Sequence, residues 1–204
     1  MFCVRNKQTG SVRVSFSDLY YFLHVPFGCG KPLTVVVSNR LGHKNVVEVP
    51  TLLVSSDIKV KSIKIGQNFS AFVDSNGELY TFGFGGSSLS GLGALGHGNG
   101  ESYLEPQLVE SLVEDGCYVK DIQLGESHMT VLTTEGEVLT TGAGSYGRLG
   151  RFDAMDQLYL EPVDLLTSDV TQIAGGKSFT LALTSDGVVH GWGRNHKGQV
   201  SCRS

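Results

Sequence analysis

An all-β fold built from repeated units is predicted by three features of the sequence. Glycine supplies 27 of the 204 residues, about twice its usual share of roughly 7%, without the proline and charge of a disordered chain. Three segments align without gaps over 18 residues, at 66–83, 125–142 and 176–193. No segment shows a hydrophobic period of 3.6 residues, so no helix is expected. Units of 51 to 59 residues with about four strands each predict a β-propeller.

Each aligned segment has the pattern of a β-hairpin. A short apolar run is followed by Ser-Asn-Gly, Thr-Glu-Gly or Ser-Asp-Gly and then by a second run rich in β-branched and aromatic residues. Glycine at the end of such a turn tolerates positive φ. We assign a structural role to the glycines at the first, twelfth and eighteenth places of the segments, which are Gly66, Gly77, Gly83, Gly125, Gly136, Gly142, Gly176, Gly187 and Gly193.

The N-terminal part of the chain matches this pattern poorly. PFGCG at 26–30 and RLGHKNVVEVP at 40–50 indicate a degenerate first repeat. Residues 12–16 alternate as a strand does, although the first 17 residues, with three bases and no acid, also resemble a mitochondrial presequence. We therefore divide the chain into an N-terminal segment and three repeats, the last of them truncated, at residues 1–53, about 54–110, 111–166 and 167–204.

The loops after the aligned segments carry a family resemblance. GAGSYGRLG at 142–150 and GWGRNHKGQV at 191–200 are the segments most similar to the pattern W-G-x-N-x-x-G-x-L-G, and over residues 60–201 the chain resembles the regulator of chromosome condensation family. The resemblance implies a β-propeller of that type, which has seven blades in the family, whereas this chain holds about four. A partial or compact ring is expected, which closes alone, pairs with a second copy or is completed by another polypeptide.

Composition excludes several classes of function. Sixteen Lys and Arg face twenty Asp and Glu, with no long run of either sign, so there is no basic footprint for nucleic acid or an anionic membrane. The four cysteines are far apart and form no Cys-x-x-Cys pair, so neither a metal site nor a cofactor is expected. No apolar run approaches the roughly 18 residues of a membrane span. We expect a soluble intracellular protein of the cytoplasm, cytoskeleton or nucleus, with the mitochondrion as a lesser alternative.

No catalytic arrangement stands out. GLGALG at 91–96 and GAGSYG at 142–147 match the dinucleotide fingerprint G-x-G-x-x-G, but neither precedes an amphipathic helix, so we interpret both as turns. A Gly-x-Ser-x-Gly nucleophile motif is absent. His128 takes the place of Phe69 and Phe179 in the other repeats, which predicts packing in the core. The sequence therefore predicts a protein that is not an enzyme.

Two loops are candidates for partner binding. Twelve residues separate Gly83 from Gly96, where the second repeat has seven, and long loops on a rigid scaffold often carry recognition. Simple length drift is the alternative for this insertion at 84–95. A charged stretch in the next loop is the second candidate. The candidate partner-binding residues are Phe84, Leu89, Leu92, Arg148 and Arg151.

Every repeated residue has a structural explanation, which favours a non-enzymatic scaffold for protein–protein interaction, alone or as a subunit of a larger assembly. The family resemblance implies an alternative: a guanine nucleotide exchange factor or regulator of a Ran-like small GTPase with chromatin association. A light-sensing role within the family depends on clustered tryptophans, and this chain has only Trp192. The incomplete ring predicts an oligomer or a complex with partner chains.

Overall fold

The computed structural model of the protein describes residues 2–5, 11–16, 19–24, 34–36, 53–54, 57–164, 166 and 168–201. The chain divides into two compact units, Met1–Val60 and Lys61–Ser204. Strands dominate both units, as the sequence predicts.

The described residues of the first unit form an antiparallel sheet of four strands in the order β1-β2-β3-β4. These strands are β1 (Phe2–Arg5), β2 (Ser11–Phe16), β3 (Leu19–His24) and β4 (Thr34–Val36). Strand β2 confirms the strand predicted at 12–16. The motifs of the predicted degenerate repeat, at 26–30 and 40–50, lie outside the described residues.

The second unit contains three antiparallel sheets, here called sheets I, II and III, in which consecutive strands pair as meanders. Sheet I consists of β5 (Val60–Ile65), β6 (Phe69–Asp74), β7 (Leu79–Gly83) and β10 (Tyr103–Leu108). Sheet II consists of β11 (Val119–Leu124), β12 (His128–Thr133), β13 (Val138–Gly142) and β14 (Gln157–Pro162). Sheet III consists of β15 (Val170–Gly175), β16 (Phe179–Thr184) and β17 (Val189–Gly193). A small hairpin, β8 (Gly86–Ser87) and β9 (Gly91–Leu92), lies in the loop between β7 and β10.

The three aligned sequence segments form the central hairpins of sheets I, II and III. Phe69 pairs with Gly83, His128 with Gly142 and Phe179 with Gly193, so the register is the same in each sheet. The glycine of each hairpin turn has φ between 85° and 88°, a region that side chains other than glycine rarely adopt. The turn residues read from the sequence therefore set the register of all three hairpins.

The hydrophobic core lies between neighbouring sheets. Every residue of β6 and β12 is buried, as expected for strands covered on both faces. One cluster joins sheets I and II and includes Phe69, Ile122 and Met129. A smaller cluster joins sheets II and III and includes Leu132 and Ile173. Full burial of one such side chain stabilises the fold by about 1.5–3 kcal/mol.

Backbone hydrogen bonds repeat at the sheet junctions. The Val119 N–H at the start of β11 donates to the Gly77 carbonyl of the preceding hairpin turn at 2.8 Å. The Val170 N–H at the start of β15 donates to the Gly136 carbonyl, also at 2.8 Å. The turn glycine of each hairpin thus accepts a hydrogen bond from the first strand of the next sheet. These bonds fix the spacing between neighbouring sheets.

Two short helical segments depart from the expectation of a helix-free chain. Helix α1 (Glu110–Glu114) follows β10, and its residue before the first turn, Val109, makes no side-chain cap. Five residues are too few to show a helical period, and burial of Val109 and Leu112 holds the turn in place. A 3₁₀ turn, Ser145–Gly147, follows β13.

Sheet III differs from sheets I and II at its outer side. Its described part has three strands, and no described strand pairs with the outer edge of β17. Val189 at the start of β17 is 63% exposed, whereas the corresponding Leu79 and Val138 are buried. No helix in the described part of the chain has the length and apolar character needed to cross a membrane.

Candidate functional site

The loops that follow the third strands of sheets I and II form the candidate site. We call residues 84–95 and 143–156 together the loop surface. Leu89 lies beyond strand β8 in the small hairpin and is 98% exposed. Phe84 and Leu92 are half-buried at the base of the same loop. The structure therefore presents one of the three predicted apolar side chains fully to solvent.

One carboxylate ties the two loops together. Asp156 Oδ2 accepts the Leu92 N–H, and Asp156 Oδ1 accepts the Gly144 N–H, both at 3.0 Å. Gly91 packs against Ala143 so closely that a Cβ at position 91 would lie 2.2 Å from the Ala143 Cβ. Charge-assisted hydrogen bonds to two backbone N–H groups are stronger than neutral ones, so the loops are held as one surface.

Threonines anchor both loops from below. The Thr81 hydroxyl donates to the Leu95 carbonyl, and the Thr140 hydroxyl donates to the Leu149 carbonyl, each at 2.8 Å. Both threonines occupy the sixteenth place of their aligned segments, where the third segment has Gly191. The first two loops therefore share an anchor that the third loop lacks.

The two predicted arginines lie in different environments. Arg148 is 5% exposed, and its guanidinium donates to the carbonyl and the hydroxyl of Ser145 at 2.9 and 3.0 Å. Burial lowers the pKa of Arg148, whereas the neighbouring carboxylates of Glu126 and Asp156 raise it. Arg151 is half-buried and donates to the Pro162 carbonyl at 3.3 Å. The buried Arg148 thus stabilises the conformation of its own loop through hydrogen bonds to Ser145.

Tyr146 is a member of the loop surface that the sequence did not single out. Its φ of 65° is unusual for a bulky residue. Two guanidinium groups lie near the exposed ring, with Arg194 4.8 Å and Arg148 5.6 Å from its centroid. Cation–π contacts of this kind contribute about 0.5–1 kcal/mol at exposed sites. The sequence does not predict this role for Tyr146, because one of its two contacts is with Arg194, which lies 48 positions away.

Two further apolar side chains of the loop surface are strongly exposed: Phe152 at 81% and Met155 at 69%. Both lie in the loop where the sequence predicts that charged residues bind a partner. Together with Leu89 and Tyr146 they make the loop surface apolar at its tips, and exposed apolar groups on ordered loops are typical of protein-binding sites.

Behind the loop surface, His128 is buried, as predicted. Burial, reinforced by the charge of Arg148, lowers the pKa of His128 to about 4. Its Nδ1 has no hydrogen-bond partner. The imidazole is therefore neutral at physiological pH and takes the packing place that Phe69 takes in sheet I.

The described part of the chain contains few candidates for metal sites, dinucleotide-binding motifs or reactive thiols. No group of three or more His, Cys, Asp or Glu residues there is arranged to hold a metal ion. Neither G-x-G-x-x-G segment precedes an α-helix, because 91–96 continues into a loop, and 142–147 contains the 3₁₀ turn Ser145–Gly147 and also continues into a loop. Cys117 is a free thiol whose pKa is raised, chiefly by burial.

Two family models described as the Regulator of chromosome condensation (RCC1) repeat match the chain. One matches residues 76–132 and 135–183, and the other matches residues 119–148 and 170–199. The first covers more than half of the chain. The second model includes the whole central hairpins of sheets II and III.

Curated relatives share the same region. The X-linked retinitis pigmentosa GTPase regulator homolog of Caenorhabditis elegans is 38% identical over 139 residues, which are 67% of this chain and 10% of the relative. The human E3 ubiquitin-protein ligase HERC2 is 36% identical over 166 residues, 78% of this chain and 3% of the ligase. The ultraviolet-B receptor UVR8 of Arabidopsis thaliana is 35% identical over 144 residues, 70% of this chain and 31% of the receptor. The chain thus spans a third or less of each relative.

Solved structures show the same fold. Prp20p of Saccharomyces cerevisiae superposes with a TM-score of 0.64 at 22% identity, covering 82% of this chain and 40% of that protein. Human WBSCR16 superposes with a TM-score of 0.62 at 19% identity, covering 90% of this chain and 44% of that protein. With the matched repeat models and the meander sheets, the chain belongs to the regulator of chromosome condensation (RCC1) repeat family, and sheets I, II and III are blades of its β-propeller fold.

Proposed function

We propose that this chain is a non-enzymatic scaffold for protein–protein interaction, and that the loop surface is where it binds a partner. The blades would hold the loops in place, while the partner contacts the exposed tips. The curated relatives carry the same repeats within much longer proteins of different activities, which agrees with repeats that serve as a binding module of a larger protein or assembly.

One observation carries this proposal: the carboxylate of Asp156 holds both loops, and the side chains at their tips are apolar and exposed. Leu89, Phe152 and Met155 are 98%, 81% and 69% exposed. Burying such side chains against a partner yields about 25 cal/mol for each Å² removed from water. A loop surface that is already ordered loses little conformational entropy on binding.

The test is affinity capture with matched variants. A triple variant, Leu89→Ser, Phe152→Ser and Met155→Ser, removes the apolar tips without touching the blades. Leu104→Ser is the control, because Leu104 is also strongly exposed but lies in β10, outside the loop surface. We expect a protein retained by the wild type and by the control to be lost from the triple variant. A partner that all three proteins retain equally would contradict the proposal.

Regulation of a small GTPase is the second candidate, and the names of the relatives favour it. The C. elegans relative is a GTPase regulator homolog, and Prp20p is described with binding to Gsp1p and histones. We expect an exchange factor to accelerate release of a fluorescent guanine nucleotide from a Ran-like GTPase. Release at the intrinsic rate across a panel of such GTPases would exclude this candidate for the 204-residue chain.

A further inference from the structure

The part of the chain that follows β5, from the rest of blade I to the start of blade II, is strongly acidic. Between Lys64 and Lys120 the sequence contains no lysine or arginine. The same stretch contains seven acids: Asp74, Glu78, Glu101, Glu105, Glu110, Glu114 and Asp115. The near-neutral total charge of the chain conceals this imbalance, because the bases lie in other segments. Such a surface attracts cationic groups and repels phosphates.

A cavity of about 350 Å³ opens on this acidic stretch, within the range of roughly 300–1,000 Å³ that is common for ligand sites. Glu110 and Glu114 of helix α1 line it together with Tyr103 and Gln107 of β10, and Tyr159 of β14 closes it from blade II. We call this cavity the acidic pocket. Because β10 and β14 are the outermost strands of their sheets, the pocket lies at the outer edge of the two blades and is lined by none of the loop-surface residues.

Three side chains that line the acidic pocket offer hydrogen-bond acceptors: Glu110, Glu114 and His97. The Thr81 hydroxyl donates its proton to the Leu95 carbonyl, so its 2.8 Å contact with His97 Nε2 requires the ring to donate there. Burial lowers the pKa of His97, and the neutral ring then has Nδ1 as an acceptor. Glu110 and Glu114 are exposed, and no described Lys, Arg or His nitrogen lies within 4.0 Å of either carboxylate.

Aromatic rings form the remaining walls. Tyr103 meets His97 edge to face at 5.0 Å. Tyr159 is 53% exposed and lies beside Gly98, where an added Cβ would lie 2.2 Å from the ring. A guanidinium stacks on aromatic faces and pairs with carboxylates through two parallel hydrogen bonds, whereas an ammonium acts as a point charge. The combination of acceptors and rings therefore favours arginine over lysine.

We propose that the acidic pocket binds an arginine side chain from a basic segment of a partner protein. Glu110 and Glu114 accept hydrogen bonds from the guanidinium, and the ring of Tyr159 covers its face. This binding goes beyond the scaffold function proposed above, because it uses the outer edge of blades I and II and a partner of opposite charge.

The test is fluorescence anisotropy with three labelled peptides, GGRGRGG, GGKGKGG and GGEGEGG, titrated with the 204-residue chain at about 0.05 M salt, where screening is weak. The wild type should bind the arginine peptide at least about threefold more tightly than the lysine peptide, as expected from paired hydrogen bonds. It should not bind the acidic peptide. No measurable binding of the arginine peptide, or equal binding of the arginine and lysine peptides, would overturn the proposal.

Matched variants separate the pocket from general charge attraction. Replacing both Glu110→Gln and Glu114→Gln should weaken binding of the arginine peptide by about tenfold, the effect of losing a charged hydrogen-bond acceptor. The control replaces Glu135→Gln and Glu137→Gln, two exposed acids outside the pocket, and should change the affinity by less than about twofold. Equal losses in the two double variants would show nonspecific attraction and overturn the proposal. All proteins are compared only after their melting temperatures match that of the wild type.

Tyr159→Ala tests the aromatic wall without changing the charge. We expect about a threefold loss of affinity for the arginine peptide and a smaller loss for the lysine peptide, because the ring covers a planar guanidinium better than an ammonium. An unchanged affinity for the arginine peptide would contradict the assigned role of Tyr159.

Discussion

At the scale of single residues, His128 links the packing of blade II to pH. The native pKa of His128 is about 4, and the unfolded value is about 6.5. Between these values the unfolded chain binds a proton that the native protein does not bind. The contribution of His128 to the free energy of unfolding therefore keeps its full value above pH 6.5 and decreases as the pH falls from 6.5 towards 4. The decrease amounts to about 2 kcal/mol between pH 7 and pH 5.

The variant His128→Phe should remove this pH dependence. Phenylalanine already fills the same place in blade I, at Phe69, and the substitution also removes the unpartnered Nδ1. Urea denaturation at pH 7 and pH 5 measures the free energy of unfolding of both proteins. The fall in stability on acidification should be smaller in the variant by about 2 kcal/mol. An equal fall in both proteins would show that His128 binds a proton in the native state as readily as in the unfolded chain.

Two glycines of blade II and its loop, Gly142 and Gly147, differ in how much they tolerate a side chain. Gly142 has φ of 106°, and an added Cβ would lie 2.4 Å from the Ser127 carbonyl oxygen. Gly147 has φ of 65° with no atom within 4 Å of the added Cβ. Gly142→Ala should therefore cost about 3 kcal/mol or more, from backbone strain and overpacking together. Gly147→Ala should cost about 1 kcal/mol, from the left-handed conformation alone.

Thermal or urea unfolding of the two glycine variants gives the comparison directly. Similar losses of stability would contradict the assignment of a close approach at Gly142. The sequence showed where glycine recurs but not how much stability each substitution would cost, because that cost depends on atoms of the neighbouring strand.

At the scale of elements, the threonine anchors decide how firmly the loops are held. Thr140→Val keeps the shape of the side chain but leaves the buried Leu149 carbonyl without its hydroxyl donor. We expect a loss of about 1–3 kcal/mol in the free energy of unfolding. Thr134→Val is the control, since Thr134 is exposed, and it should change stability by less than about 0.5 kcal/mol. If the two variants were equally stable, the Thr140 hydroxyl would not be an anchor.

The strands could be predicted from the sequence because the repeat encodes them locally. A short apolar run, a turn glycine and a second run rich in β-branched and aromatic residues define each hairpin, and all three are visible within 18 residues. Helix α1 could not be predicted, because it has five residues and no capping side chain and is held by burial of Leu112. Local patterns thus specify the hairpins, whereas tertiary packing specifies the short helix.

The loop surface could be predicted only in part. The length of the insertion pointed to Leu89, which is fully exposed. The burial of Arg148 depends on the turn that brings Ser145 to its guanidinium, and the role of Asp156 depends on a hydrogen bond to Leu92, 64 residues earlier. The acidic pocket likewise joins Glu110 to Tyr159. Contacts between distant parts of the chain are what a single sequence does not reveal.

At the scale of the whole molecule, we expect the outer edge of blade III to control association. Strand β17 has no described partner on its outer side, and an unpaired strand edge is a template for pairing with another chain. We therefore expect the 204-residue chain to self-associate at concentrations where a protein with closed edges would remain monomeric. Sedimentation velocity at increasing protein concentration would show this as a rising average mass.

A single charge at that edge should suppress the association. Val189 is 63% exposed in β17, so Val189→Lys adds a charge there at little cost in stability, and edge lysines oppose strand pairing. Val113→Lys is the matched control, because Val113 is also exposed but lies on helix α1. The average mass should fall towards that of the monomer in the Val189 variant and stay at the wild-type value in the Val113 variant. Equal association of all three proteins would show that another surface joins the copies, and a wild type that remains monomeric at every concentration would show that the edge of β17 is protected in solution.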